Sequence, residues 1–167
     1  MKIIDAGYEI IDIPSPIAAM KKLERIGRIC YQSEEKSNGT FEGACKFVGG
    51  LIKRGHEAML EHCSMTVIFT VDRGITHELV RHRLASFAQE STRYCNYGGD
   101  RKDVTFIRPF FITIESILAD STSWEASCHA SERLYLKMLK DGASPQEARS
   151  VLTNSAKSQI AMTANIS

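Results

Sequence analysis

Apolar positions change rhythm several times along the chain, and each change marks an element. Ile3, Ile4, Tyr8, Ile10, Ile11 and Ile13 form an apolar, β-branched opening that suits one or two short strands, closed by Pro14-Ser15-Pro16. Ser15 can then cap a helix with Pro16 at its first position, and Ile17, Met20, Leu23, Ile26, Ile29 and Cys30 recur at helical spacing as a core face. The polar run from Ser33 to Gly39 is a loop. Phe41, Cys45, Val48, Leu51 and Ile52 resume a helical period that stops at Gly55. Met65 to Val71 reads as a buried strand, Asp72-Arg73-Gly74 as a turn, and Thr76 to Leu84 as a helix.

Beyond Tyr94, Asn96 to Asp100 is a loop and Val104 to Ile107 a short strand before Pro109. A long helix is expected from Thr122 to Lys140, with Trp124, Cys128, Leu134, Tyr135, Met138 and Leu139 on its apolar side and Gly142 as its stop. Ser144-Pro145-Gln146-Glu147 spells a capping box, which starts a further helix carrying Ala148 to Leu152. Gln159 to Asn165 reads as a closing strand. The expected architecture is mixed α/β (α+β), a central mostly antiparallel sheet flanked by helices, in a single domain over residues 1–167.

Composition narrows the function. An apolar fraction of 43%, a charged fraction of 25% and a formal net charge of +1 over 167 residues are ordinary for a globular chain. There is no global basic field of the kind non-specific nucleic-acid binders use, so any anion site must be a local cluster, which points to a small ligand. The five cysteines, Cys30, Cys45, Cys63, Cys95 and Cys128, are odd in number and lack CxxC pairs, which argues against a disulfide framework or structural zinc. They read as small buried hydrophobes. Charges within the first five residues and the lack of a transmembrane-length apolar run lead us to expect a cytoplasmic protein without a membrane partner.

The chemistry concentrates in Arg81-His82-Arg83 through Tyr94, which holds three arginines, a histidine and a carboxylate. Arginine is rarely buried unpaired, and its planar fork matches phosphate and carboxylate oxygens. On a helix, His77 with Arg81 and Glu78 with His82 would share faces, while Arg81 and Arg83 would lie about 200° apart and serve two ligands or two subunits. In an extended run after Phe87, Gln89, Ser91 and Arg93 would face one way and Glu90, Thr92 and Tyr94 the other, a strip suited to a nucleotide. Glu78 and Glu90 alone cannot pair all three arginines, so a solvated face of internal ion pairs is the weaker reading. A nucleic-acid-binding module using Arg81, Arg83, Arg93 and Arg101 is a second reading, weakened by the near-neutral charge. His56, Glu61, His62 and Cys63 lack HExxH spacing, and no metal is expected. Trp124, Tyr94 and Tyr97 are assigned to packing, not to the site.

Arg81-His82-Arg83 followed by seven residues and Ser91, with the Ser91-Thr92-Arg93-Tyr94 ending, resembles the flavin-dependent thymidylate synthase family. The similarity extends through Gly55 to His62, Gly142 to Leu152 and Met162 to Ile166. The resemblance implies a homotetramer with sites between subunits that converts dUMP to dTMP, taking a methylene from methylenetetrahydrofolate and reducing equivalents from NADPH through FAD. It implies flavin contacts at Arg81, His82, Arg83, His56 and Asn165, with Gln89 reaching from another subunit, and it puts Ala58 where the family often has serine or threonine near the flavin. For dUMP it implies Glu78, Leu79, Val80, Arg81, Gln89, Glu90, Ser91, Thr92, Arg93 and Arg149. Neither GxGxxG nor a P-loop occurs, so side chains must hold the phosphates.

Ser91 and Arg81 are the candidate catalytic residues. A serine nucleophile needs an adjacent base, and His82 lies nine residues away, so the resemblance favours direct hydride delivery from reduced flavin, with Ser91 binding dUMP and arginine charge polarising the pyrimidine. Family members are expected to continue past the Thr-Ala-Asn segment with an arginine and a helix that carries further flavin and dUMP contacts, a segment this chain is expected to lack. An inactive relative that keeps the fold is the corresponding alternative.

Overall fold

The computed structural model describes residues 1–99, 103–112 and 122–167, with the backbone alone at Thr122 and Ser123. Asp100 and Arg101, which the sequence reading placed in a loop and in a nucleic-acid surface, lie outside them. The described elements run β1 (Lys2–Ile4), β2 (Gly7–Asp12), α1 (Pro16–Ile29), α2 (Phe41–Lys53), β3 (Ser64–Asp72), α3 (Arg73–Leu79), β4 (Ala85–Gln89), β5 (Thr105–Ile107), α4 (Thr122–Lys140), α5 (Pro145–Ala148) and β6 (Lys157–Asn165). The fold is therefore mixed α/β with an antiparallel sheet, as the sequence predicts.

One sheet has four strands in the order β2-β3-β6-β4. The Thr66 and Thr163 hydroxyls meet at 2.9 Å, and Gln159 Nε2 donates to Thr70 Oγ1 at 3.1 Å. One residue number rises as its partner's falls, so β3 and β6 run antiparallel. A second, two-stranded sheet pairs β1 with β5 in parallel, Ile3 opposite Phe106, and an isolated antiparallel bridge links Phe106 to Ala156. That parallel pair joins segments a hundred residues apart, and no local pattern announces it.

The chain divides into two compact units. The first comprises Met1–Glu9, Ile68–Arg83 and Phe87–Ala161, the second Ile10–Val67, Leu84–Ser86 and Met162–Ser167. Val104, Phe106, Cys128, Tyr135, Ala148 and Ala156 form the core of the first unit. Trp124 serves that core and donates Nε1–H to Ser155 Oγ at 3.0 Å. The α5 start follows its capping box, with the Glu147 carboxylate accepting from the Ser144 N–H at 2.8 Å. Only Ala148 of the expected Ala148–Leu152 helix is α-helical, because the chain tightens into a 3₁₀ turn over Arg149–Val151.

In the second unit the core is Ala19, Leu23, Val48, Leu51, Met59, Leu60 and Cys63. The expected face of α1 is corrected here: Ile17 and Ile29 are more than half exposed, and Cys30 is exposed too. Of that face Leu23 is buried and Met20 and Ile26 pack partly buried against the core, while the buried seam of α1 also takes in Ala19, Glu24 and Gly27. Gly27 lets the helices approach so closely that a Cβ there would stand 2.8 Å from Leu51 Cδ1. Glu24 is buried in the seam because Arg28 pairs with it at 2.7 Å while lying over the Phe47 ring. Of the five cysteines only Cys63 and Cys128 are buried, so the reading of all five as core residues does not hold. Burial pushes the Cys128 thiol up to about 11, with the Thr153 hydroxyl opposing that rise.

Candidate functional site

Asp72 caps α3 by accepting from the Ile75 N–H at 2.9 Å, so the expected Asp72–Gly74 turn is instead the first turn of the helix. The helix closes at Leu79, well short of Leu84. The Arg81 N–H donates to the Glu78 carbonyl and the His82 N–H to the Leu79 carbonyl, a tightening that ends the α-helical ladder. Leu84 is 85% exposed and Val80 is also exposed, so the apolar period that suggested a longer helix meets no core. Arg81, His82 and Arg83 consequently lie on an exposed turn between α3 and β4, and the 200° division of the two arginines does not apply. His77 is not paired with Arg81; its Nε2 lies 3.4 Å from Arg73 Nη2.

The expected extended strip ends at Gln89, where β4 stops. Gln89 is turned into its own unit, its amide donating to Thr76 Oγ1 at 2.8 Å and to Ser158 Oγ at 3.2 Å. Ser91 opens a turn: its carbonyl accepts from the Tyr94 and Cys95 N–H groups, and its Oγ accepts from the Arg93 N–H at 3.3 Å. This fold-back is why Ser91 and Arg93 do not continue the Gln89 face. Arg93 lies over the Tyr94 ring at 5.5 Å.

Glu90 is taken by a cluster the sequence reading missed. Its carboxylate accepts from Lys157 Nζ at 2.6 Å, the Tyr97 hydroxyl at 2.7 Å and the Gln159 N–H at 3.2 Å. Burial drives its pKa up, yet Lys157, Tyr97 and Gln159 outweigh that and hold the carboxyl below its ordinary value. Tyr97 is pushed the other way, above the ordinary phenol value, by its own burial and by Glu90. Lys157 stands 67 positions from Glu90 in sequence, which no local pattern reveals.

Two of the expected dUMP positions do meet. Arg149 Nη1 donates to Thr92 Oγ1 at 3.1 Å, and Thr92 is almost fully buried. They line a cavity of about 440 Å³ together with Arg73, Gln146, Ser150 and Asn154. No carboxylate lines it among the described residues. A larger cavity of about 680 Å³, bounded by Asp5, Ile75, Arg108 and Phe110, contains none of the expected site residues.

Among the expected flavin positions, His56 and Ala58 in the second unit line a cavity of about 330 Å³ with Tyr31 and Gly55. The Tyr31 hydroxyl is hydrogen-bonded to His56 Nδ1. Gly55 has φ +73°, a left-handed conformation that favours glycine and turns the chain out of α2. Asn165, at the end of β6, accepts from the Ser167 hydroxyl at 2.7 Å.

Fold and site together define a mixed α/β protein with an arginine-bearing turn and a cavity lined by two arginines and several neutral polar side chains. Residues 17–167 match the family described as thymidylate synthase complementing protein, and the chain belongs to that family. It is 31% identical over 157 residues to the flavin-dependent thymidylate synthase of Geobacter sulfurreducens, covering 91% of this chain and 65% of the relative. The Pyrococcus abyssi enzyme of the same name is 35% identical over 115 residues, covering 67% of this chain and 46% of the relative. The chain thus spans roughly half to two-thirds of the length of these curated relatives. The fold is also that of the UMP/dUMP methylase PolB from Streptomyces cacaoi, with a TM-score of 0.80 at 20% identity, covering 99% of this chain and 75% of that one.

Proposed function

We propose that this protein takes part in the FAD-dependent methylation of dUMP to dTMP, with methylenetetrahydrofolate as carbon donor and NADPH as reductant, as a cytoplasmic homotetramer. The observation that carries the reading is the Thr92–Arg149 contact at a cationic cavity, two positions 57 apart that the family resemblance independently assigns to dUMP. Family membership and the dUMP-methylase fold support it.

In this reading Arg149 and Thr92 hold the 5′-phosphate, one as a charge-assisted donor and the other as a neutral hydroxyl. The residues for the flavin fit the group: Arg81 and Arg83 are exposed and have no ion-pair partner among the described residues, so their forks are free for a diphosphate. The family resemblance also assigns His56 and Ala58 to the flavin, and in the second unit these two line a cavity of about 330 Å³. When bound, FAD supplies the hydride that completes the methyl group. In this reading Ser91 serves as a binding hydroxyl: its Oγ accepts from the Arg93 N–H, and no hydrogen bond to an imidazole activates it among the described residues. Arg81 then contributes positive charge toward the pyrimidine carbonyls as electron density builds on the ring.

The test is to supply purified protein with FAD, NADPH, dUMP and methylenetetrahydrofolate and to assay dTMP. Product is expected, together with loss of both flavin and dUMP binding in Arg81→Ala. Bound flavin without dTMP would reduce the reading to an inactive relative; failure to bind either flavin or dUMP would overturn it.

A further inference from the structure

A cavity of about 380 Å³ on the α2 side of the second unit has no role in the reading above. We infer that its cations Lys36, Lys46 and Arg54 form a subsite for the glutamate carboxylates of the folate carbon donor. The identity of that donor rests on the function proposed above; the subsite adds where its tail is held.

One face of α2 builds the cavity. Gly43, Phe47, Gly50 and Arg54 follow at intervals of three or four along the helix and its C-cap, and Lys46 stands beside Phe47. A Cβ built at Gly50 would meet only Arg54, whose Nη1 would stand 3.5 Å away. The Arg54 guanidinium therefore lies back along the helix over bare backbone, within the groove, while the residue stays exposed. Asn38 closes the far end, where a Cβ at Gly43 would collide with its amide.

Charge makes this groove an anion site. Four cations line it and no carboxylate does among the described residues. Arg28 is already neutralised, since its guanidinium pairs with Glu24 at 2.7 Å, donates to the Ser33 carbonyl at 3.2 Å and covers the Phe47 ring. No salt bridge claims Lys36, Lys46 or Arg54 among the described residues. Glu34 and Glu35 precede Lys36 but line no part of the cavity. A chain of net charge +1 thus gathers three unpaired cations around one groove, which favours an anion with several separated charges over a lone carboxylate.

Position selects the anion. The cavity at His56 and Ala58, which the family resemblance assigns to the flavin, is lined by Gly27, Leu51 and Gly55, and the cationic one by their chain neighbours Arg28, Gly50 and Arg54. Consecutive Cα atoms lie about 3.8 Å apart, so the two cavities border each other along the α1–α2 seam. A methylene donor has to reach the flavin that completes its methyl group, and methylenetetrahydrofolate ends in a glutamate with an α- and a γ-carboxylate. With the donor's ring at the flavin, that tail comes within reach of the cationic groove. Each further γ-linked glutamate adds another carboxylate for it to hold.

The experiment measures binding of tetrahydropteroate, tetrahydrofolate and its γ-triglutamate by anaerobic calorimetry with FAD present, in wild type and in Lys46→Gln/Arg54→Gln. Both side chains are exposed, so the substitutions leave the core untouched. Two exposed ion pairs lost together should weaken the triglutamate by roughly 5- to 30-fold. Tetrahydrofolate should lose less, while tetrahydropteroate, which lacks the glutamate, and FAD should bind unchanged. Lys46→Arg/Arg54→Lys keeps both charges and should keep the preference for the triglutamate, and raised salt should reduce that preference in wild type. A wild type that binds the triglutamate no more tightly than tetrahydropteroate would overturn the subsite and leave the carbon donor standing. So would a preference that survives in the glutamine variant, or an equal loss for tetrahydropteroate. Binding of none of the three to wild type would overturn the donor together with its tail subsite.

Discussion

Replacing Glu90 with glutamine tests whether this residue is held for structure before it can serve a ligand. The Glu90 and Lys157 side chains are 15% and 20% exposed, so solvent screens the pair only weakly. Glutamine keeps one acceptor oxygen for Tyr97 or the Gln159 N–H, but it loses the charge that Lys157 faces at 2.6 Å. The lost charge-assisted bond is worth about 1.5–3 kcal/mol, and the ammonium left without its partner adds to that, giving a net destabilisation of about 3 kcal/mol at pH 7. Folding lowers the Glu90 pKa below its ordinary 4.5. Its contribution is therefore complete above that value and fades as pH falls through the depressed folded value. Urea unfolding of both proteins from pH 7 down to pH 3 should show a gap that is constant near neutrality and closes below pH 4.5. A gap under about 0.5 kcal/mol at pH 7, the range of an ordinary surface substitution, would refute the reasoning; so would a gap that does not change with pH.

Two further substitutions probe packing around the site. Gly27→Ala gains about 1 kcal/mol of helix propensity but drives a methyl to 2.8 Å from Leu51 Cδ1 and 2.9 Å from Phe47 Cε1, an overpacking that costs about 1–3 kcal/mol. Leu51 is buried and Phe47 lies beneath the Arg28 guanidinium, so net destabilisation is expected in denaturant titration, and a more stable variant would show that the seam can open. Thr76→Val removes the hydroxyl that donates to the Arg73 carbonyl and accepts from Gln89, at a cost of about 1–2 kcal/mol. That should lower Tm by ~2–8 °C, and an unchanged melting temperature would show that Ser158 alone satisfies the Gln89 amide.

Elements whose instructions are local were legible in the sequence. Ser15 with Pro16 and the Ser144–Glu147 box each state a helix start within four residues, and both caps form. The β6 strand reads from its own residues in the same way. The stretch from Thr76 to Arg93 was misread because its apolar residues mimic a helical period while β4 takes up the chain directly after the turn. The Glu90 cluster depends on Lys157 and Gln159, and the 440 Å³ cavity on Arg73, Thr92 and Arg149, which only the tertiary fold assembles. The clustering of arginines was thus readable, while the pairing of Glu90 with Lys157 and of Arg149 with Thr92 was not.

These pairings set where binding energy can come from. Arg81, His82 and Arg83 project from an exposed turn, and fixing a long arginine side chain there costs about 1.5–2 kcal/mol of rotamer entropy, more than an exposed ion pair of about 0–1 kcal/mol returns. A ligand can order this turn only by engaging several of its donors at once, which suits a diphosphate and not a lone carboxylate. Arg149 stands differently: it is half-buried and already bonded to a buried threonine, so less freedom remains to be lost on binding. On the function proposed above, affinity for a phosphate monoester should therefore concentrate at the Arg149 cavity, whereas the Arg81–Arg83 turn should hold only a ligand that engages several of its donors at once.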